Sequence, residues 1–227
     1  PRELNVFDDY YQLSIIILAI FFTALYTYSP RSINEYFRIE RALSPRELDE
    51  NLLKTRIFTG PNFGVFVFTC LLLGHLIIST VYLSNIFPER ELFYAASVSE
   101  YLWNWLKMSS LLMIGLFFKY VLLLVASSLF QVKDFFNSHF YNFLRLSLMI
   151  AFVLSLVTAT VYLGIYNYPD AVYSAFYQMV LLATLPVILV IYLKLLNAAS
   201  YNNLHLFSYL SATELIPFVI ILSFGIY

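Results

Sequence analysis

The feature that most constrains this chain is the length of its uncharged apolar runs. FGVFVFTCLLLGHLIISTVYL at 63–83 and LSLMIAFVLSLVTATVYLGIY at 146–166 carry no Asp, Glu, Lys or Arg. About 20 apolar residues at a rise of ~1.5 Å per residue cross a hydrocarbon layer ~30 Å thick, so each run is long enough to be a membrane span. Strands of a membrane barrel would instead appear as segments of about ten residues with alternating polarity, a pattern absent here. Composition agrees: 61% of residues are hydrophobic, 12% are charged, and the mean hydropathy is +0.77. The expected fold is all-α, one transmembrane domain over 1–227 with six spans at about 11–28, 63–86, 103–128, 143–166, 171–195 and 206–226. The chain begins at Pro1 and not at methionine, which leaves an upstream signal sequence or further helix open.

The basic residues predict orientation. The connections after spans one, three and five, with their flanks, hold Arg31, Arg38, Arg41, Arg46, Lys54, Arg56, Lys133, Arg145 and Lys194, while the other side holds Arg2, Arg90 and Lys107. Lys and Arg accumulate on the cytoplasmic side, so both ends of the segment are expected to be periplasmic. Tyr10, Tyr11, Tyr101, Trp103, Trp105, Tyr166, Tyr168 and Tyr173 then read as an outer interfacial belt. Lys107, Arg145 and Lys194 near span ends are expected to snorkel to the interface.

One connection is long enough to fold by itself, SPRSINEYFRIERALSPRELDENLLKTRIFTGPN at 29–62. Ser32 with Glu35, and Ser44-Pro45 with Glu47, are helix-start signatures, in which a serine oxygen meets bare backbone N–H groups and a glutamate reaches back. Ile33, Tyr36 and Phe37, then Leu48, Leu52 and Leu53, recur at helical spacing. The segment reads as a cytoplasmic amphipathic helical hairpin resting on lipid, or docking a partner through Tyr36, Phe37, Leu48 and Leu52. Gly60 and Pro61 end it and open the second span.

The remaining connections are short, so any chemistry must come from polar groups inside the bilayer. Such groups are costly in hydrocarbon and usually face the bundle interior in pairs. Lys119 lies about nine residues from the inner end of its span and Glu214 about eight from the inner end of its own, both ~12–13 Å below the boundary. Equal depth permits an ion pair. Pro217 cannot donate to the Thr213 carbonyl, Ser211 shares the Glu214 face, and Gly115, one turn before Lys119, leaves room for a neighbouring helix. With His75 and Gln178 these residues form a candidate polar seam, either a structural pair that sets helix register or a proton or solute pathway. His75 by itself also reads as one side of an interhelical hydrogen bond.

No HExxH, GxSxG, phosphate loop or magnesium-type aspartate cluster is present, so the sequence points away from an enzyme and calls for no cofactor. His75, His139 and His205 are far apart in sequence and do not read as a metal set, and His139 and His205 fall at the cytoplasmic edge. Cys70, the single cysteine, reads as a small buried residue. A net charge of −1 offers no basic surface for nucleic acid.

The block YNNLHLFSYLSATELIPFVI at 201–220, with YSPRSINEYFR at 28–38, resembles an uncharacterised family of multi-pass inner-membrane proteins from Bacteroidota, a domain of unknown function. The resemblance covers most of the chain and implies a Gram-negative inner membrane without an assigned activity. Taken together, the expected function is a non-catalytic integral inner-membrane subunit or assembly factor of a cell-envelope complex, in contact with the lipid bilayer and other membrane or envelope proteins. The alternative is a small proton-coupled or lipid-handling transporter that uses the Glu214, Lys119 and His75 seam.

Overall fold

A computed structural model describes residues 6–38, 40, 60–84, 95–130, 136–163, 178–179, 182, 184–198, 203–217 and 219. These residues are all-helical, and no strand occurs among them. The elements are α1 (Val6–Tyr28), α2 (Pro30–Tyr36), α3 (Gly60–Ser84), α4 (Val98–Leu129), α5 (Phe136–Leu163), α6 (Thr184–Ala198) and α7 (Asn203–Leu210), the last running into a π-helical turn, Ser211–Leu215. Four of them, α1, α3, α4 and α5, are long and apolar enough to cross a membrane. Helices suit that solvent because each satisfies its backbone N–H and C=O groups internally.

The bundle is built around α3, which packs against α1, α4 and α5. Within its apolar stretch 72% of residues are buried, against 17–33% for the other three. Small residues permit the close crossings. A Cβ on Gly74 would stand 2.4 Å from Ser109 Oγ on α4, and one on Gly64 would stand 2.5 Å from Leu25 Cδ2 on α1. Between membrane helices close contact supplies association that a hydrophobic effect cannot, because lipid tails are as apolar as leucine.

Several helices begin earlier than expected. α4 starts at Val98, and its start is a capping box: Ser97 Oγ accepts from the Glu100 N–H at 3.3 Å, while Glu100 Oε2 accepts from the Ala96 N–H at 2.9 Å. α5 starts at Phe136 because the polar residues of its first turns, His139, Asn142 and Arg145, are buried against other elements. The fifth expected span is described mainly from Thr184 onward.

Most of the belt residues that are described form a core, while Tyr166, Tyr168 and Tyr173 lie outside the described residues. Phe7 stacks on Tyr82 at 3.6 Å, Tyr10 on Tyr101 at 5.2 Å and Tyr11 on Tyr162 at 4.1 Å, and the Tyr162 hydroxyl donates to Asp8 Oδ1 at 2.7 Å. Tyr10, Tyr11, Tyr101 and Trp105 are buried, and Trp105 Nε1 donates to the Leu71 carbonyl at 2.8 Å. Offset ring pairs contribute beyond their area, so this end of the bundle is closed by ring packing. Trp103 alone of the described belt residues is exposed, with Lys107 Nζ 5.7 Å above its ring.

Of the expected hairpin, α2 is described; Leu48, Leu52 and the second helix start fall outside the described residues. The cap also differs. Pro30 occupies the first turn after Ser29, whose Oγ meets Ser32 Oγ at 2.9 Å, and Glu35 pairs with Arg38 at 2.9 Å. Tyr36 and Phe37 turn inward and are not a docking face. Tyr36 packs on Tyr141 at 4.8 Å with its hydroxyl 3.4 Å from Asn62 Oδ1, and Phe37 lies edge-on to Phe22 and Phe152. Burial, and next to it the Tyr141 hydroxyl, holds the Tyr36 pKa well above its ordinary value. The fully buried Arg145 guanidinium donates to the Arg38 carbonyl and so ties the chain after α2 to α5. Arg145 therefore does not snorkel. Neither does Lys194, whose Nζ donates to Asn142 Oδ1 at 3.0 Å. A charge that finds polar partners within the bundle has no need to reach the interface.

Candidate functional site

The site forms where α4, α5 and the π-helical turn meet. Pro217 has no N–H for the Thr213 carbonyl, and the chain just before it is wound as a π turn, with the Ile216 N–H bonded to the Ser211 carbonyl. Single π turns of this kind recur at functional sites. This one carries Glu214, with Thr213 beside it buried and donating through Oγ1 to the Tyr209 carbonyl at 2.9 Å.

Glu214 meets the partner expected from depth. Lys119 Nζ stands 2.7 Å from Glu214 Oε1, with the two side chains 16% and 4% exposed. A second partner joins at the same oxygen: His139 Nε2 lies 2.9 Å from Oε1, and His139 Nδ1 lies 2.9 Å from the Tyr209 hydroxyl. An ionised carboxylate only accepts, so Nε2 carries the hydrogen. A second cation beside Lys119 would leave an uncompensated buried charge, so the ring is neutral, accepts at Nδ1, and Tyr209 donates. Lys119 Nζ also sits 4.0 Å from the centroid of the Phe143 ring, whose face favours a cation. Tyr209, His139, Glu214 and Lys119 thus form one continuous hydrogen-bonded chain.

The chain ends on a groove. Leu111, Leu112, Gly115, Leu116, Phe118 and Leu122 of α4 form one wall, Phe143 and Ser147 of α5 and Val187 and Ile188 of α6 the other, with Lys119, Thr213, Glu214 and Pro217 at its polar end. Its volume is about 380 Å³. From Leu111 to Leu122 it follows about 16 Å of α4 at a rise of ~1.5 Å per residue, so it is elongated. It opens on the outer surface of the bundle, where Leu111 and Phe118 are 62% and 66% exposed.

The other expected seam residues divide. Gly115 faces the groove, with nothing within 4 Å of an added Cβ, so the room it leaves is not filled by a neighbouring helix. Ser211 is partly buried beside Glu214. Gln178 is exposed and does not join the site. His75 belongs elsewhere: its Nδ1 lies 3.0 Å from Ser14 Oγ on α1, and its ring lies between Tyr11 and Trp105. It makes the interhelical hydrogen bond that was the simpler of its two expected roles. His139, read as an edge residue, is the member that the sequence expectation missed. A signal was present, because His139, Asn142 and Arg145 recur every three residues along one face of α5. Among the described residues no group of three His, Cys, Asp or Glu side chains could hold a metal ion.

A family model described as "Domain of unknown function (DUF4271)" matches residues 12–224. No curated protein and no solved structure matches the chain.

Proposed function

We propose, for a chain that belongs to the DUF4271 family, a lipid-handling role: an integral membrane protein that takes a single-chain, lipid-like molecule sideways from the bilayer into the groove beside Lys119 and Glu214. The observation that carries this reading is the groove itself, elongated, apolar along its length and ended by a buried ion pair. Binding pockets commonly combine an apolar lining with a few convergent polar groups that fix orientation. A tail lying along α4 replaces lipid contacts with equivalent ones, and the polar end sets which way round the molecule sits.

In this reading α6 and the α7 region supply the fifth and sixth membrane crossings. Both ends of the segment face the periplasm of a bacterial inner membrane, and 29–62 faces the cytoplasm. The distribution of Lys and Arg supports that orientation. A role as a non-catalytic subunit would need a face reserved for a protein partner. Of the residues expected to provide one, Tyr36 is buried and Phe37 half-buried, while Leu48 and Leu52 lie outside the described residues.

The test is photolabelling of the protein in lipid nanodiscs with a diazirine-bearing fatty chain. Adducts are expected around Leu112, Phe143 and Val187 and are expected to be lost in Gly115→Trp, which fills the groove from a position where a side chain meets nothing. Equal labelling of those positions in that variant overturns the reading.

A further inference from the structure

We propose that the groove takes a single-chain carboxylic acid, and takes it together with one proton. This inference rests on the groove reading above and adds the chemistry of the head and the charge balance of binding.

The charges that face the site fix that balance. Glu214 carries one negative charge and Lys119 one positive, and a neutral His139 leaves the two balanced, whereas a protonated one would add an uncompensated buried charge. Among the described residues the remaining walls add no titratable group: α5 contributes Phe143 and Ser147, and α6 contributes Val187 and Ile188. Lys194, further along α6, is held by Asn142. The empty site is therefore neutral.

Lys119 keeps hydrogens that Glu214 does not take. An ammonium has three hydrogens; one of those on Lys119 goes to Glu214, and the group stands at the groove's polar end. A carboxylate accepts such hydrogens in charge-assisted bonds, which are stronger than those to a hydroxyl or carbonyl head. A groove of about 380 Å³ suits one chain with a compact head and not a phospholipid.

A bare anion would leave the site with an uncompensated buried charge, which a medium of low polarity disfavours strongly. One proton entering with the anion restores neutrality, and the hydrogen-bonded chain has a place for it. The proton adds to His139 Nδ1, the Tyr209 hydroxyl rotates so that its oxygen accepts from the new N–H, and His139 becomes the cation that pairs with Glu214. Lys119 is then released to the ligand carboxylate. No other bond is made or broken, and the site begins and ends neutral.

The experiment uses the purified protein in nanodiscs of uncharged lipid, with cis-parinaric acid, a fluorescent fatty acid, and the fatty alcohol of the same chain as probes. Binding is followed by fluorescence and proton uptake by a pH dye in weak buffer, with empty nanodiscs subtracted. One proton taken up per bound acid, and none per bound alcohol, is expected. Above the acid's own titration range its affinity should fall about tenfold per pH unit. Glu214→Gln leaves Lys119 as an unpaired cation, so the acid should bind that variant without a proton and the pH slope should vanish. Binding of the acid without proton uptake by the wild-type protein, or an unchanged slope in Glu214→Gln, overturns the inference; the wild-type measurement stands even if that variant does not fold. Gly115→Trp separates the two levels. If it binds both probes as well as the wild type, the groove reading itself is wrong, whereas loss of both probes with no wild-type proton uptake removes only the carboxylic-acid inference.

Discussion

Lys119 on α4 and Glu214 in the π-helical turn, 95 positions apart in sequence, meet at 2.7 Å inside the bundle. With His139 on the same carboxylate oxygen, the contact fastens the last described segment to α4 and α5 at once. Its value depends on completeness, since two opposite charges removed from water offset each other only while both are present.

Removing one partner should therefore cost more than removing both. Glu214→Gln alone leaves a buried ammonium and is expected to lower stability by about 3–5 kcal/mol, while Glu214→Gln with Lys119→Met leaves no charge and should recover most of that loss. Thermal unfolding in mild detergent provides the comparison. Losses that simply add would show that the two side chains are not coupled.

His75 and His139 should occupy opposite tautomers. Ser14 Oγ donates to the Tyr11 carbonyl at 2.9 Å, so it is an acceptor towards His75 Nδ1, which must carry the hydrogen. His139 must carry its hydrogen on Nε2, facing Glu214. Nitrogen-15 spectra of histidine-labelled protein distinguish the forms, and Ser14→Ala should disturb only the His75 signals. The same tautomer at both rings would contradict the hydrogen-bond directions given above.

Two glycines of similar sequence context should differ sharply in tolerance. Gly74→Ala drives a methyl group to 2.4 Å from Ser109 Oγ and close to the Ser109 backbone, for which a loss of about 1–3 kcal/mol is expected. Ser109→Ala should relieve part of it. Gly115→Ala meets nothing within 4 Å and should leave the unfolding midpoint unchanged or slightly raised, since alanine is the better helix former. Equal sensitivity at both positions would argue against the α3–α4 crossing.

Orientation is open to labelling. A cysteine introduced at Asn51 in a Cys70→Ala background should be protected from an impermeant maleimide in intact spheroplasts and react once they are broken, because nine basic residues lie in the connections and flanks of that side. Labelling in intact spheroplasts reverses the topology.

Much of the architecture was legible because membrane solvent imposes simple rules. Uninterrupted apolar runs mark α1, α3 and α5, and a run broken by single lysines marks α4, whatever they pack against, and the depth of Lys119 and Glu214 follows from counting residues along a regular helix. The start of α4 was legible too, in Ser97 and Glu100, a capping box that was passed over. The start of α5 was hidden for a different reason. His139, Asn142 and Arg145 look like interfacial residues by composition, and only their partners reveal them as buried.

The sequence by itself determined that the chain is helical, that it is rich in membrane-length spans, and that an acid and a base lie at one depth. These properties depend on local composition and on helical rise, which each segment carries independently of its neighbours. Which faces meet was decided only by the tertiary structure. Rotation of each helix about its axis placed His139 on Glu214, sent His75 to Ser14, turned Tyr36 and Phe37 inward and left Gly115 facing a groove. In an almost wholly apolar sequence several faces of a helix are equally suited to lipid or to protein, so the rotation is settled by close crossings such as Gly74 against Ser109 and by the need of each buried polar group for a partner.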